Sequence, residues 1–281
     1  MSNPIADIFR QAAEKNASDP RRTGNTVDLP KGKKVLVSGD LHGNRRNLTK
    51  ILGRADLSSN PDQVVVFQEI IHGPVDPRAG VDRSIELLLR VARLKISNPE
   101  QVVVIMGNHD LAQFTGNEIT KSGRGVCKGF VEGIHYAMGG EDTDVVDAVN
   151  TFLASLPMAV RCPNGVFVCH TLPTPNRMKF ADPEIFRRNS SEEDLHRGGP
   201  VYEWTWGRKH TPEQVEELAQ RLDVSFFILG HKHMDVGYEL ISPRAVNIVS
   251  DHGHGAVVEF ATDQSLDLDT IESYIKPIAA L

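Results

Sequence analysis

The chain has 281 residues, 40% of them apolar, so it can bury a full core and wholesale disorder is excluded. Its 31 basic residues fall short of its 37 acidic ones, and the net charge of -6 argues against a nucleic-acid surface, which normally carries a basic excess. Cys127, Cys162 and Cys169 form no C-x-x-C pair, no apolar run reaches membrane-spanning length, and no basic-then-apolar leader opens the chain, so the expectation is a reduced, cytoplasmic protein with no membrane partner.

Ile5, Ile8, Phe9 and Ala12 recur at helical spacing and predict an amphipathic helix over residues 4–17. Residues 18–33 are polar, with Pro and Gly, and read as a connector, so the chain divides into a helix and connector over 1–33 and a single domain over 34–281. A buried strand, Val35-Leu36-Val37-Ser38, then stops at Gly39 and delivers Asp40 and His42. Leu48, Ile51, Leu52 and Ala55 mark a helix, and Val64 to Phe67 a second strand ending at Gln68-Glu69. A loop from Ile70 to Val81 leads to a helix from about Ser84, then to the strand Val102 to Met106, which stops at Gly107-Asn108-His109-Asp110. Residues 111–150 are mixed and Gly-rich, with a helix expected in their second half. The strand Val166 to Cys169 ends at His170, and 173–201 reads as a polar excursion near the active face. Thr211-Pro212-Glu213-Gln214 starts a helix, with a Thr cap, Pro in the first turn and Gln three residues on. The strand Ser225 to Leu229 ends at Gly230-His231-Lys232-His233, and two more strands follow at 246–249 and 256–260.

Five strands therefore end in potential ligands: Asp40 with His42, Glu69, Asn108 with His109, His170, and His231 with His233. Open α/β sheets place ligands at the carboxyl ends of their strands, so these groups converge if the strands lie side by side. The set suits two divalent metals about 3.5–4 Å apart, with Glu69 as the bridging carboxylate. One metal would take Asp40, His42, Glu69 and His233, the other Glu69, Asn108, His170 and His231. Mixed O/N ligation favours Mn, Fe or Zn. A water between the metals would lose a proton near neutral pH and attack phosphorus in line, with His109 as general acid. Singly, each residue has an ordinary explanation: Asp40 as a helix cap, Asn108 as a turn residue, His170 as a core histidine. Jointly, that explanation needs five coincidences at five strand ends.

Gly39-Asp40-Leu41-His42, Gly107-Asn108-His109-Asp110, Cys169-His170 and Gly230-His231-Lys232-His233 resemble, in order, the motifs of the calcineurin-like metallophosphoesterase superfamily. The likeness leans toward the phosphoprotein phosphatase branch, through Val168-Cys169-His170-Thr171-Leu172-Pro173 and Gly237-Tyr238-Glu239-Leu240. It implies a layered α/β/β/α sandwich of two mixed sheets flanked by helices, and metal-dependent hydrolysis of a phosphorylated substrate. The family's G-D-x-x-D-R-G is replaced by Gln68-Glu69-Ile70-Ile71-His72-Gly73-Pro74. On direct correspondence His72 takes the place of the Asp that orients the acid histidine. If the loop is an insertion, Asp82 and Arg83 supply that Asp and the phosphate-binding Arg, and this is the preferred reading, with Asp110 as a further candidate. Arg208 is a second phosphate clamp by virtue of its planar guanidinium. The departure keeps two alternatives open: a non-catalytic binding module on the same fold, or a dinucleoside polyphosphate hydrolase.

Overall fold

The computed structural model describes residues 3–121 and 123–281. In chain order the helices are α1 (Pro4–Ala17), α2 (Arg45–Ala55), α3 (Ile85–Ser97), α4 (Asn108–Thr115), α5 (Val126–Met138), α6 (Thr143–Ala154), α7 (Pro200–Trp206), α8 (Pro212–Leu222) and α9 (Ile271–Tyr274). The strands are β1 (Arg22–Thr23), β2 (Thr26–Asp28), β3 (Lys34–Asp40), β4 (Gln63–Gln68), β5 (Val102–Ile105), β6 (Thr120–Lys121), β7 (Arg124–Gly125), β8 (Ala159–Arg161), β9 (Val166–Cys169), β10 (Phe226–Leu229), β11 (Tyr238–Ile241), β12 (Ala245–Ile248), β13 (Ala256–Ala261) and β14 (Ile275–Pro277).

Two mixed sheets stack. One runs β14-β13-β3-β4-β5, with β3, β4 and β5 parallel; the other runs β1-β2-β8-β9-β10-β12-β11, with β9, β10 and β12 parallel. Because side chains alternate across a strand, each parallel strand feeds two cores. Val35, Val37, Val64, Val66, Val103 and Ile105 meet Val166, Val168, Phe226, Ile228, Val246 and Ile248 between the sheets. The alternate residues Leu36, Val65, Phe67 and Val104, and Phe167, Phe227 and Leu229, face the helices. Strands buried on both faces read as unbroken apolar runs, which is why the sequence marks them. The result is the expected α/β/β/α sandwich. The sheets touch near the ligand edge, where Asp40 bridges to Val249 beyond β12.

The segment 18–33, expected as a connector, carries β1 and β2, and β2 extends the second sheet by pairing parallel with β8. Its three residues, Thr26-Val27-Asp28, are too short and polar to signal a strand by pattern, yet Thr26 and Val27 are buried. Helix α1 packs through Phe9 and Ala12 into the helix-side core, with the Phe9 ring 5.9 Å from that of Phe152 on α6. The Gly-rich middle holds α4 and α5 ahead of α6, so more of it is helical than the sequence pattern indicated. Among the described residues, no helix is long and apolar enough to cross a membrane.

Candidate metal centre

The carboxyl ends of β3, β4, β5 and β10 bring their terminal residues to one cavity of about 450 Å³, lined by Asp40, His42, Glu69, Asn108, His109, Arg208, His231, His233 and Asp251, among others, and His170, at the end of β9, is buried against Asn108, Glu69 and His231. The chain turns sharply where it leaves these strands. His42, Glu69 and His231 have φ of 40°, 37° and 70°, in the left-handed region that costs an L-residue about 1–2 kcal/mol. Close approach is met by glycine. A Cβ on Gly107 would lie 2.3 Å from Glu69 Cγ, and one on Gly230 would lie 2.6 Å from Asp40 Oδ1. The glycines ahead of Asn108 and His231 are thus the space that the two buried carboxylates occupy.

Hydrogen bonds fix which ring nitrogens face the cavity. His42 Nδ1 lies 3.0 Å from the carbonyl oxygen of Ile71, which can only accept, so Nδ1 carries the proton. Nε2 of neutral His42 is then a lone pair, 3.4 Å from Glu69 Oε2. Around His170 Nε2 stand Asn108 Oδ1 at 3.1 Å, His231 Nδ1 at 3.1 Å and Glu69 Oε1 at 3.3 Å. Asn108 turns its carbonyl oxygen, not its amide N–H, toward this group, and its Nδ2 is buried without a hydrogen-bond partner. Buried acceptors crowded together, with a donor turned away from them, are what a cation requires and what a hydrogen-bond network avoids. Among the described residues, two groups lie close enough to share an ion: His42, Glu69 and His109, and Asp40, Glu69 and His170. Glu69 belongs to both, as a bridging ligand must. The donor set therefore fits divalent metal.

The protein compensates the charge in the site only in part, through His42, Arg208 and backbone N–H groups. Burial, reinforced by Asp40, pushes the Glu69 carboxyl well above its usual range, and burial raises Asp40 although His42 opposes it. Burial and then the neighbouring His231 hold His170 well below the ordinary imidazole value, and burial brings His231 down to about 3. Bound cations would reverse the carboxyl shifts by favouring ionised carboxylates, and would reinforce the histidine shifts by favouring neutral imidazoles. Burial also raises Asp110 to about 7, while its Oδ2 accepts from Gly107 N at 2.9 Å and starts α4.

The structure places three expected residues differently. Asp82 does not hold His109: its Oδ1 accepts from Ser84 N at 2.8 Å, and it lines cavities flanking the 73–82 loop. Arg83 is not among the residues lining the metal cavity and pairs with Glu86 at 2.5 Å, whereas Arg208 lines that cavity. His233 stands at the rim with its side chain 68% exposed, its Nδ1 3.7 Å from Asp251 Oδ2. Behind His109 is His72, its Nδ1 2.8 Å from His109 Nδ1 and its Nε2 2.9 Å from Gln113 Oε1. His72, the residue that direct correspondence puts at the motif's second Asp, is thus the side chain at His109 Nδ1. Gln113 was not singled out in the sequence; its position four residues beyond His109, one helical turn along α4, is the signal that could have found it. Gln68, buried beside His170, was marked in the sequence only by its departure from the family pattern.

Strand-end carboxylates, imidazoles and an amide gathered on a two-sheet sandwich define a metal-dependent phosphoric ester hydrolase. The calcineurin-like phosphoesterase family matches residues 33–235, most of the chain, and the chain belongs to that family. No curated protein matches it in sequence. Among solved structures, a serine/threonine phosphatase from Saccharomyces cerevisiae with similarity to human phosphatase PP5 aligns over 98% of this chain and 92% of its own, with TM-score 0.70 at 15% identity. A cold-active protein-tyrosine phosphatase of a psychrophile, Shewanella sp., aligns over 88% and 79%, with TM-score 0.58 at 14% identity. These likenesses show a shared fold.

Proposed function

We propose that the chain hydrolyses phosphate monoesters, in the manner of a serine/threonine phosphatase, using two divalent transition-metal ions (Mn, Fe or Zn) held by Asp40, His42, Glu69, Asn108, His170 and His231, with His233 joining from the rim. The observation that carries this reading is the cluster of buried acceptors around His170 Nε2, two of which belong to Glu69 and Asn108. When bound, the ions supply Lewis acidity toward the phosphoryl oxygens and a water acidified to near-neutral pH. The protein's own groups do the rest. Arg208, on the cavity wall, grips the phosphoryl oxygens through its guanidinium. His109, held by His72, protonates the leaving oxygen. His72 is held in turn by Gln113, so the acid is oriented by a neutral pair where a carboxylate would normally stand. Cys127, Cys162 and Cys169 are buried and unbridged, which suits a reducing compartment such as the cytoplasm.

A non-catalytic binding module is the second reading, favoured by the altered second motif, which puts His72 at His109 Nδ1. One experiment separates them. Protein stripped with a chelator and resupplied with Mn, Zn or Fe is assayed on a generic phosphomonoester, beside His109→Ala. Turnover that returns with metal and is lost in His109→Ala at unchanged metal content supports hydrolysis. Metal uptake without turnover in either protein supports the binding module.

A further inference from the structure

The departure from the family pattern at the end of β4 begins one residue before the bridging carboxylate. The pattern has Gly there; this chain has Gln68, whose side chain is fully buried. A glycine could make no side-chain bond at that position, and Gln68 makes two. Its Nε2 donates to the carbonyl oxygen of Ser38 at 3.1 Å, and its Oε1 lies 3.1 Å from His170 Nδ1. These contacts settle each other. A backbone carbonyl can only accept, so the amide NH₂ must face Ser38 and the amide oxygen must face His170. His170 Nδ1 must then carry the ring proton. A neutral imidazole has one N–H, so Nε2 is left as a lone pair aimed at Asn108 Oδ1, Glu69 Oε1 and His231 Nδ1. Gly230 makes room for the arrangement, since a Cβ there would lie 2.7 Å from Gln68 Oε1.

We propose that Gln68 is a positioning residue that locks His170 in its Nδ1–H form and aims Nε2 at the metal centre, the task that the Ile71 carbonyl performs for His42. The inference rests on the reading of His170 as a metal ligand. Its test can be told apart from that reading, because one arm needs no metal. Outer partners of this kind are typically worth 10–100-fold in metal affinity.

In the metal-free wild-type protein, a long-range ¹H–¹⁵N correlation spectrum reports which nitrogen of His170 is protonated. Nδ1–H is expected; Nε2–H overturns the proposal. In Gln68→Met, which keeps length and volume but removes both bonds, His170 is expected to populate both tautomers. Mn²⁺ affinity by calorimetry is expected to fall about 10–100-fold. A folded Gln68→Met protein with wild-type affinity and a single Nδ1–H tautomer overturns the proposal. Should that variant fail to fold, the wild-type tautomer decides alone. Should the wild-type protein bind no transition metal, the functional reading fails while the tautomer still decides what Gln68 does.

Discussion

Gly107→Ala adds one methyl group at the point where the β5–α4 turn meets the bridging carboxylate. The backbone accepts it, since Gly107 sits at φ -106°, ψ -179°, in extended territory open to any residue. The site does not. The new Cβ would lie 2.3 Å from both Cγ and Oε1 of Glu69 and 2.7 Å from Cδ. Van der Waals contact needs about 3.4 Å or more, so the carboxylate must withdraw by about 1 Å. Two contacts go with it: Oε1 accepts from His109 N at 2.7 Å and stands 3.3 Å from His170 Nε2. Leaving a buried donor or acceptor unpaired costs about 1–3 kcal/mol, so the variant should lose about that much metal-free stability. Displacing the shared ligand should weaken Mn²⁺ binding by at least about tenfold, since even outer partners are worth that much. Urea unfolding and calorimetric Mn²⁺ titration measure the two effects. Gly53→Ala is the control: it lies on the exposed face of α2 with nothing near the added Cβ, and should gain about 0.5–1 kcal/mol. Wild-type stability and Mn²⁺ affinity in Gly107→Ala would refute the packing argument for this glycine.

Acid should destabilise the metal-free protein well above the usual carboxylate range. Burial lowers His72 and His210 to about 4, so each contributes stability that is full above its unfolded value near 6.5 and is lost as pH falls toward 4. By linkage the loss is about 2 kcal/mol per histidine at pH 5, and equal urea midpoints at pH 7.5 and 5 would contradict it. Arg208→Ala should lower kcat/KM on a phosphomonoester on the order of tenfold or more, while Arg83→Ala, paired with Glu86 outside the cavity, should stay within about twofold. Steady-state kinetics on the two variants checks this, and the reverse ranking would move the phosphate clamp to the 73–83 loop. His72→Ala should lower kcat by about 10–100-fold at unchanged metal content if the residue orients His109. Atomic absorption beside a turnover assay measures both quantities.

The parallel strands were legible because they are buried on both sides and therefore spelled in continuous apolar residues, and their ends were legible because apolar spelling gives way abruptly to Asp40, Glu69, Asn108, His170 and His231. What the sequence hid depends on distance across the fold. β2 is polar and three residues long, and becomes a strand only because β8 offers its edge. Helix α5 was obscured by Gly129 and Gly133, the latter a position where a Cβ would strike the Asp82 carbonyl at 1.8 Å. The choice of Asp82 over His72 as the partner of His109 followed chemical preference for a carboxylate. The outcome was set by the path of the loop, which turns His72 inward at φ 59° and leaves Asp82 to cap the entry to α3. His233 shows the limit of spacing arguments: φ of 70° at His231 redirects the chain, and the second histidine of the pair ends exposed.

Anomalous diffraction at the manganese edge, from crystals of metal-free protein soaked in Mn²⁺, asks most directly whether these strand ends grip a pair of ions. Two peaks about 3.5–4 Å apart, bounded by Asp40, Glu69, Asn108 and His170, are the expected result. An empty cavity at saturating Mn²⁺, or peaks confined to other surfaces, would contradict it.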